Sequence, residues 1–172
     1  MVHLVFVYGT LKTGEPNIRY MTEEFKQGLC EFRGLAHTKE KFPLVVASRY
    51  NIPYLLYKPG TGHHVEGEVY AVDDIQLEYL DKLENHPRLY TRQPVTLTTK
   101  RDENEAMEEI NAEAYFLVNY QPELLQLPTL ETYKDLVNGK KYVLHKDREA
   151  KNPTWWFEIH SDYKEGDTEF RS

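Results

Sequence analysis

This 172-residue sequence predicts an α+β fold with a mixed or antiparallel sheet, either open or closed into a barrel. Three observations lead there. Short apolar or alternating runs, punctuated by Gly and Pro, outnumber helical segments. The connections between them are mostly short. Only one stretch, following Asp73 and Asp74, carries clear helical periodicity.

The elements follow in chain order. Val5-Phe6-Val7 is an apolar β-run that breaks at once into the loop Tyr8-Gly9-Thr10-Leu11-Lys12. A strand ending this way delivers loop backbone to a sheet edge, and Gly9, lacking a Cβ, lets a ligand approach main-chain N–H groups closely. Gly14-Glu15-Pro16-Asn17 reads as a helix entry with Pro16 at the first helical position, the helix running to about Phe25 and ending at Gly28. Strands are expected from Leu29 to Ala36, over Leu44-Val45-Val46-Ala47 and over Tyr54-Leu55-Leu56-Tyr57. From Val65 to Val72, Val65, Gly67, Val69 and Ala71 alternate with Glu66, Glu68 and Tyr70, the pattern of a half-buried strand. Asp73 or Asp74 caps an amphipathic helix from Ile75 to about Asn85, stopped by His86-Pro87. Strands near Val95 to Thr99 and Ala112 to Val118 flank a solvated acidic loop, Asp102-Glu103-Asn104-Glu105. Beyond Gln121 the pattern weakens. A single domain over residues 1–160 is expected, with 161–172 a polar, flexible tail.

Composition narrows the function. A net charge of −7 disfavours a nucleic-acid groove or an anionic membrane surface as the main partner and suits a small ligand. Cys30, the sole cysteine, permits no intramolecular disulfide, and its bland reading is a small buried hydrophobe. With no signal peptide or transmembrane run, the expected location is cytoplasmic.

At 100° per residue, Ile75, Leu77, Tyr79, Leu80 and Leu83 share one arc of about 200°, and Glu84 falls inside it. Asp74, Glu78, Asp81 and Lys82 fall outside. Desolvation and the negative end of the helix dipole would both raise the Glu84 pKa, as a general base that must take and return a proton requires. The alternative is a carboxylate at the fraying edge of the stripe, reaching water or pairing with Arg88 or Arg92.

The pairing of Val7-Tyr8-Gly9-Thr10-Leu11-Lys12 with Leu80-Asp81-Lys82-Leu83-Glu84 resembles the γ-glutamyl cyclotransferase (AIG2-like) superfamily. Phe42-Pro43-Leu44-Val45, Asn51-Ile52-Pro53, Glu66-Gly67-Glu68-Val69-Tyr70 and Tyr90-Thr91-Arg92 are similar to its γ-glutamylamine cyclotransferase branch. The resemblance implies a small mixed β-barrel flanked by helices and a monomer that needs neither metal nor cofactor. The implied substrate is a γ-glutamylamine such as γ-glutamyl-ε-lysine, released as 5-oxoproline and free amine. Glu84 would be the catalytic residue, and Tyr8, Gly9, Thr10 and Leu11 the substrate-binding loop. Tyr54 stands where the branch carries an indole, and the C-terminal segment through Tyr142 to Trp155-Trp156 departs from it, with room to shape the leaving-amine side.

Other readings are weaker. His64, Glu66 and Glu68 share a strand face but lack an identifiable fourth metal ligand, and a polar outer face explains them equally. The glycine spacing and Lys-Ser/Thr ending of a P-loop are absent, as is any nucleophile elbow. Trp155-Trp156-Phe157 with Ile159 reads as core cover or a partner patch. A cyclotransferase acting on γ-glutamyl amino acids or glutathione, and a non-catalytic interaction protein of the same fold, are the rival functions.

Overall fold

A computed structural model describes residues 1–100, 102–148 and 154–167. The N-terminal apolar run is strand β1 (Val2–Val7), followed by β2 (Cys30–Thr38), β3 (Leu44–Ala47), β4 (Ile52–Leu55), β5 (Glu66–Asp73), helix α1 (Asp74–Leu83), β6 (Thr91–Thr99) and β7 (Glu108–Phe116). Five of these strands close into a barrel in the order β1-β5-β2-β6-β7. Neighbours are antiparallel except where β1 meets β7 in parallel, Val5 opposite Glu113, and that pair makes the sheet mixed. The β3-β4 hairpin forms its own two-stranded sheet and docks through bridges of Leu56 to Leu117 and Leu44 to Leu130. The fold is α+β, as expected.

Strand alternation builds two cores. Phe6, Val69, Val95, Leu97, Ala112, Ala114 and Phe116 form one cluster. The opposite faces, with Val5, Val7, Tyr70 and Val72, join Leu77 and Leu80 of α1 and Trp155, Trp156 and Ile159 in the other. The tryptophan segment is therefore core cover, with Trp156 3% and Ile159 0% exposed. Closure also buries both faces of β5, contrary to the half-buried expectation: it lies between β1 and β2, and only its end residues are partly exposed. Glu68 then needs partners. Its carboxylate accepts from the Thr13 N–H (2.9 and 3.1 Å), the Thr13 hydroxyl and the Tyr70 hydroxyl. A buried carboxylate thus pins the loop that leaves β1.

Gly67 shows how tightly the barrel is filled. A Cβ there would lie 2.5 Å from both Phe6 Cε2 and the Val7 carbonyl oxygen. Gly67→Ala is expected to destabilise the protein by ~1–3 kcal/mol, read as a lower urea midpoint, because backbone cannot yield as a flexible side-chain tip would.

Two helical expectations change. The helix expected from Pro16 to about Phe25 is a single 3-10 turn, Ile18–Met21, because the Asn17 N–H is drawn to the Thr10 carbonyl (2.8 Å) and the chain turns again at Thr22. Helix α1 begins at Asp74, with Asp73 as N-cap accepting from the Gln76 N–H (2.9 Å). It ends at Leu83 rather than near Asn85, because Asn85 takes a left-handed conformation (φ 51°) that terminates the ladder. Ile75, expected inward, is 61% exposed, while Gln76 is fully buried. Gln76 replaces it because its amide is satisfied: Oε1 accepts from the Gln27 and Gly28 N–H groups, and Nε2 donates to the Tyr20 carbonyl.

The remaining strands shift by a few residues: the Tyr54-to-Tyr57 run pairs instead over Ile52–Leu55, and β6 and β7 each begin four residues earlier than expected. In the segment expected as a tail, the Ser161 N–H donates to the Asn119 carbonyl (3.1 Å) and the Tyr163 ring meets Trp156 edge-on at 5.2 Å. Residues 168–172 lie outside the described residues. Among the described residues, no helix is long and apolar enough to cross a membrane.

Candidate active site

The loop leaving β1 is shaped by its own backbone. The Lys12 N–H donates to the Gly9 carbonyl (3.1 Å), and Asn17 holds Thr10 twice, through the backbone bond and through Nδ2 to the Thr10 hydroxyl (3.0 Å). A Cβ on Gly9 would lie 2.8 Å from Pro53 Cγ, so close approach of the β3-β4 hairpin demands glycine. No acceptor among the described residues takes the N–H groups of Gly9, Thr10 or Leu11. Three main-chain donors left open at one loop have the chemistry to meet a developing or resident negative charge.

That loop lines a cavity of about 200 Å³ that Glu84 also lines. Tyr8, Gly9, Thr10, Leu11 and Glu84, far apart in the chain, therefore face one space. Glu84 is the C-cap of α1, its N–H donating to the Leu80 carbonyl (2.9 Å). Among the described residues, no side-chain bond claims its carboxylate. The Tyr8 hydroxyl donates to the Tyr115 carbonyl (2.6 Å), the Tyr90 hydroxyl to the Pro53 carbonyl (3.2 Å), and the Tyr115 hydroxyl to Asp81 (2.7 Å). Arg92, one partner considered for Glu84, is spent on Asp81 and on Glu113 (2.8 Å). Among the described residues, its guanidinium forms no ion pair with Glu84.

Burial among these rings, with neither cation nor donor to offset it, pushes the Glu84 pKa from 4.5 to about 7. A carboxyl so tuned is near half-protonated at physiological pH and can both accept and donate a proton. Its charge in turn helps to hold the tyrosines neutral: burial, then Glu84, raises the Tyr8 pKa, and burial chiefly raises that of Tyr90. The Tyr54 ring, fully buried, stacks on Tyr90 at 5.7 Å and fills the wall beside Pro53.

The remaining wall comes from residues that periodicity could not place. Tyr142, His145, Arg148, Trp155 and Trp156 line the cavity from the C-terminal segment. Tyr142 is tied to the β1 loop, its hydroxyl accepting from Asn17 Nδ2 at 2.9 Å. The sequence signals for this wall were the aromatic run at Trp155-Trp156 and the departure of the segment from Tyr142 onward from the family pattern. The suggested His64, Glu66 and Glu68 face does not converge: His64 bonds the Thr38 carbonyl and Glu66 faces His37, leaving Glu68 on the β1 loop.

The family model described as gamma-glutamyl cyclotransferase, AIG2-like, matches residues 5–146. A gamma-glutamylaminecyclotransferase from Bos taurus is 44% identical over 147 residues, 84% of this chain and 82% of its own length. Gamma-glutamylaminecyclotransferase C from Danio rerio is 41% identical over 147 residues, covering 85% and 96%. The crystal structure of an AIG2-like protein from Mus musculus superposes with a TM-score of 0.79 at 40% identity, over 86% of this chain and 99% of that one.

Proposed function

The chain belongs to the gamma-glutamyl cyclotransferase, AIG2-like family, and from that premise we propose that it cleaves γ-glutamylamines such as γ-glutamyl-ε-lysine to 5-oxoproline and the free amine, with Glu84 as general acid and base. The observation that carries the reading is that Glu84, its carboxyl desolvated and without a side-chain partner among the described residues, lines one cavity with the β1 loop, whose Gly9, Thr10 and Leu11 N–H groups have no acceptor among those residues.

The chemistry follows from those parts. With the γ-glutamyl chain folded back on itself, its neutral α-amine attacks the γ-carbonyl carbon, and Glu84 takes one proton from that nitrogen. The carbonyl oxygen becomes an oxyanion that the Gly9, Thr10 and Leu11 N–H groups are suited to meet. As the carbonyl re-forms, the bond to the leaving nitrogen breaks and Glu84 returns the proton there, so the carboxyl ends as it began. The nucleophile is already tethered, and the enzyme's task is to hold a near-attack shape.

The test is 5-oxoproline release from γ-glutamyl-ε-lysine, γ-glutamyl-alanine and glutathione, compared by kcat/KM. Preference for γ-glutamyl-ε-lysine is expected. Preference for either of the others would move the substrate class, and no release from any of the three would favour a binding protein of the same fold. The pH profile gives a second check: below pH 7 kcat/KM should lose a further factor of about ten per pH unit as Glu84 protonates, beyond the fall that protonation of the substrate's α-amine already causes.

A further inference from the structure

Arg148 follows the last residue matched to the family and sits on the cavity wall contributed by the C-terminal segment. Its guanidinium is held firmly. Nε donates to the Val143 carbonyl (3.1 Å), Nη2 donates to the Tyr142 hydroxyl (3.0 Å), and the group lies over the rings of Tyr50, Tyr142 and Trp155 at 4.9, 5.5 and 5.7 Å. Three aromatic faces and two neutral acceptors fix it in place, yet among the described residues no carboxylate pairs with it and Nη1 has no acceptor. A half-buried, oriented guanidinium with an open edge and no counter-ion is built to receive an anion, in the forked geometry that suits a carboxylate.

The position of Arg148 relative to the chemistry decides which anion. Tyr142, to whose hydroxyl Arg148 donates, lines the same cavity as Glu84. The bonds of the guanidinium run to the Val143 carbonyl and the Tyr142 hydroxyl and not to the Glu84 carboxylate. Open N–H groups on the β1 loop already serve the γ-glutamyl half. The aromatic wall of Tyr142, Trp155 and Trp156 suits a methylene chain leading away from the scissile bond.

We propose that Arg148 is a specificity-determining residue that binds a carboxylate carried by the leaving amine, so that this enzyme favours amines bearing an α-carboxylate over the corresponding simple amines. The inference rests on the cyclotransferase reading and deepens it on the leaving-group side.

γ-Glutamyl-ε-lysine and γ-glutamylcadaverine make the test, because the two differ only in the carboxylate. Wild type should favour γ-glutamyl-ε-lysine by about tenfold or more in kcat/KM, mainly through KM. In Arg148→Gln that ratio should collapse towards one. Arg148→Lys, which keeps the charge and loses the fork, should restore part of it. Melting curves for each variant accompany the kinetics, and the wild-type ratio needs no variant to fold. Equal turnover of both substrates by wild type, or an equal loss on both in Arg148→Gln, would overturn the proposal, the latter by assigning Arg148 to the shared γ-glutamyl half or to structure. No 5-oxoproline from either substrate would overturn the γ-glutamylamine reading and this inference together.

Discussion

Glu84→Gln is expected to lower kcat for 5-oxoproline release about a hundred- to ten-thousand-fold while raising the melting temperature above that of wild type at pH 8. Both effects have one origin. Glutamine keeps the shape of the side chain and removes the proton carrier. It also removes a charge that the fold holds at a cost. In the unfolded chain Glu84 ionises near 4.5, whereas the folded protein keeps it protonated up to about 7. This folded pKa is raised, so wild-type stability is full below pH 4.5, declines as pH rises towards 7, and levels off above it. The rise corresponds to at most about 3 kcal/mol, and the opening of the cavity to water reduces it. The Gln variant has no such slope. The two proteins should therefore melt close together at pH 4.5 and separate by a few degrees at pH 8. Normal turnover in a folded Gln variant would remove Glu84 from the chemistry, and a melting difference independent of pH would remove the desolvated carboxyl.

Asp81→Ala should carry the next largest effect, a loss of ~2 kcal/mol in stability together with a fall in kcat of about tenfold to a hundredfold. Asp81 sits one helical turn before Glu84. It accepts from Arg92 Nε (3.0 Å), Arg92 Nη2 (3.2 Å) and the Tyr115 hydroxyl (2.7 Å), and so locks the end of α1 to β6 and β7. Without it Arg92 keeps only Glu113, and the Tyr115 hydroxyl loses its acceptor within the pocket wall. Tyr115 in turn receives the Tyr8 hydroxyl on its carbonyl, so the disturbance reaches the β1 loop. Chemical denaturation measures the first effect. Steady-state kinetics well below the melting temperature measure the second. An unchanged kcat would leave the network a purely structural clamp.

The legible parts of this molecule were those where periodicity and burial coincide. The β1 run, Leu44–Ala47 and the Leu77-Leu80 stripe all bury the residues that their patterns select, and the same stripe brought Glu84 to notice. Ile75 and Gln76 exchanged places because a hydropathy pattern prices an amide as polar, whereas here each end of Gln76 finds a backbone partner. Glu68 looked like surface because closure of the sheet, which buries the second face of β5, is a tertiary event. The Tyr142 and Arg148 wall had no periodicity to betray it. Its residues are held by single long-range bonds, such as Asn17 to Tyr142, and by ring contacts that leave no trace in local sequence.

The parallel meeting of β1 with β7 has a consequence for how such a chain comes into being. Strand β1 must wait during synthesis for β7, more than a hundred residues later, before its second edge is covered. Contacts of that separation slow folding and leave an apolar edge open to stray pairing in the interval. Catalytic competence arrives with that final seam, because Tyr8 and Tyr115 are brought together only when it forms. A nascent chain released before β7 emerges would carry both the loop and Glu84, yet lack the enclosed space in which they could act on one molecule.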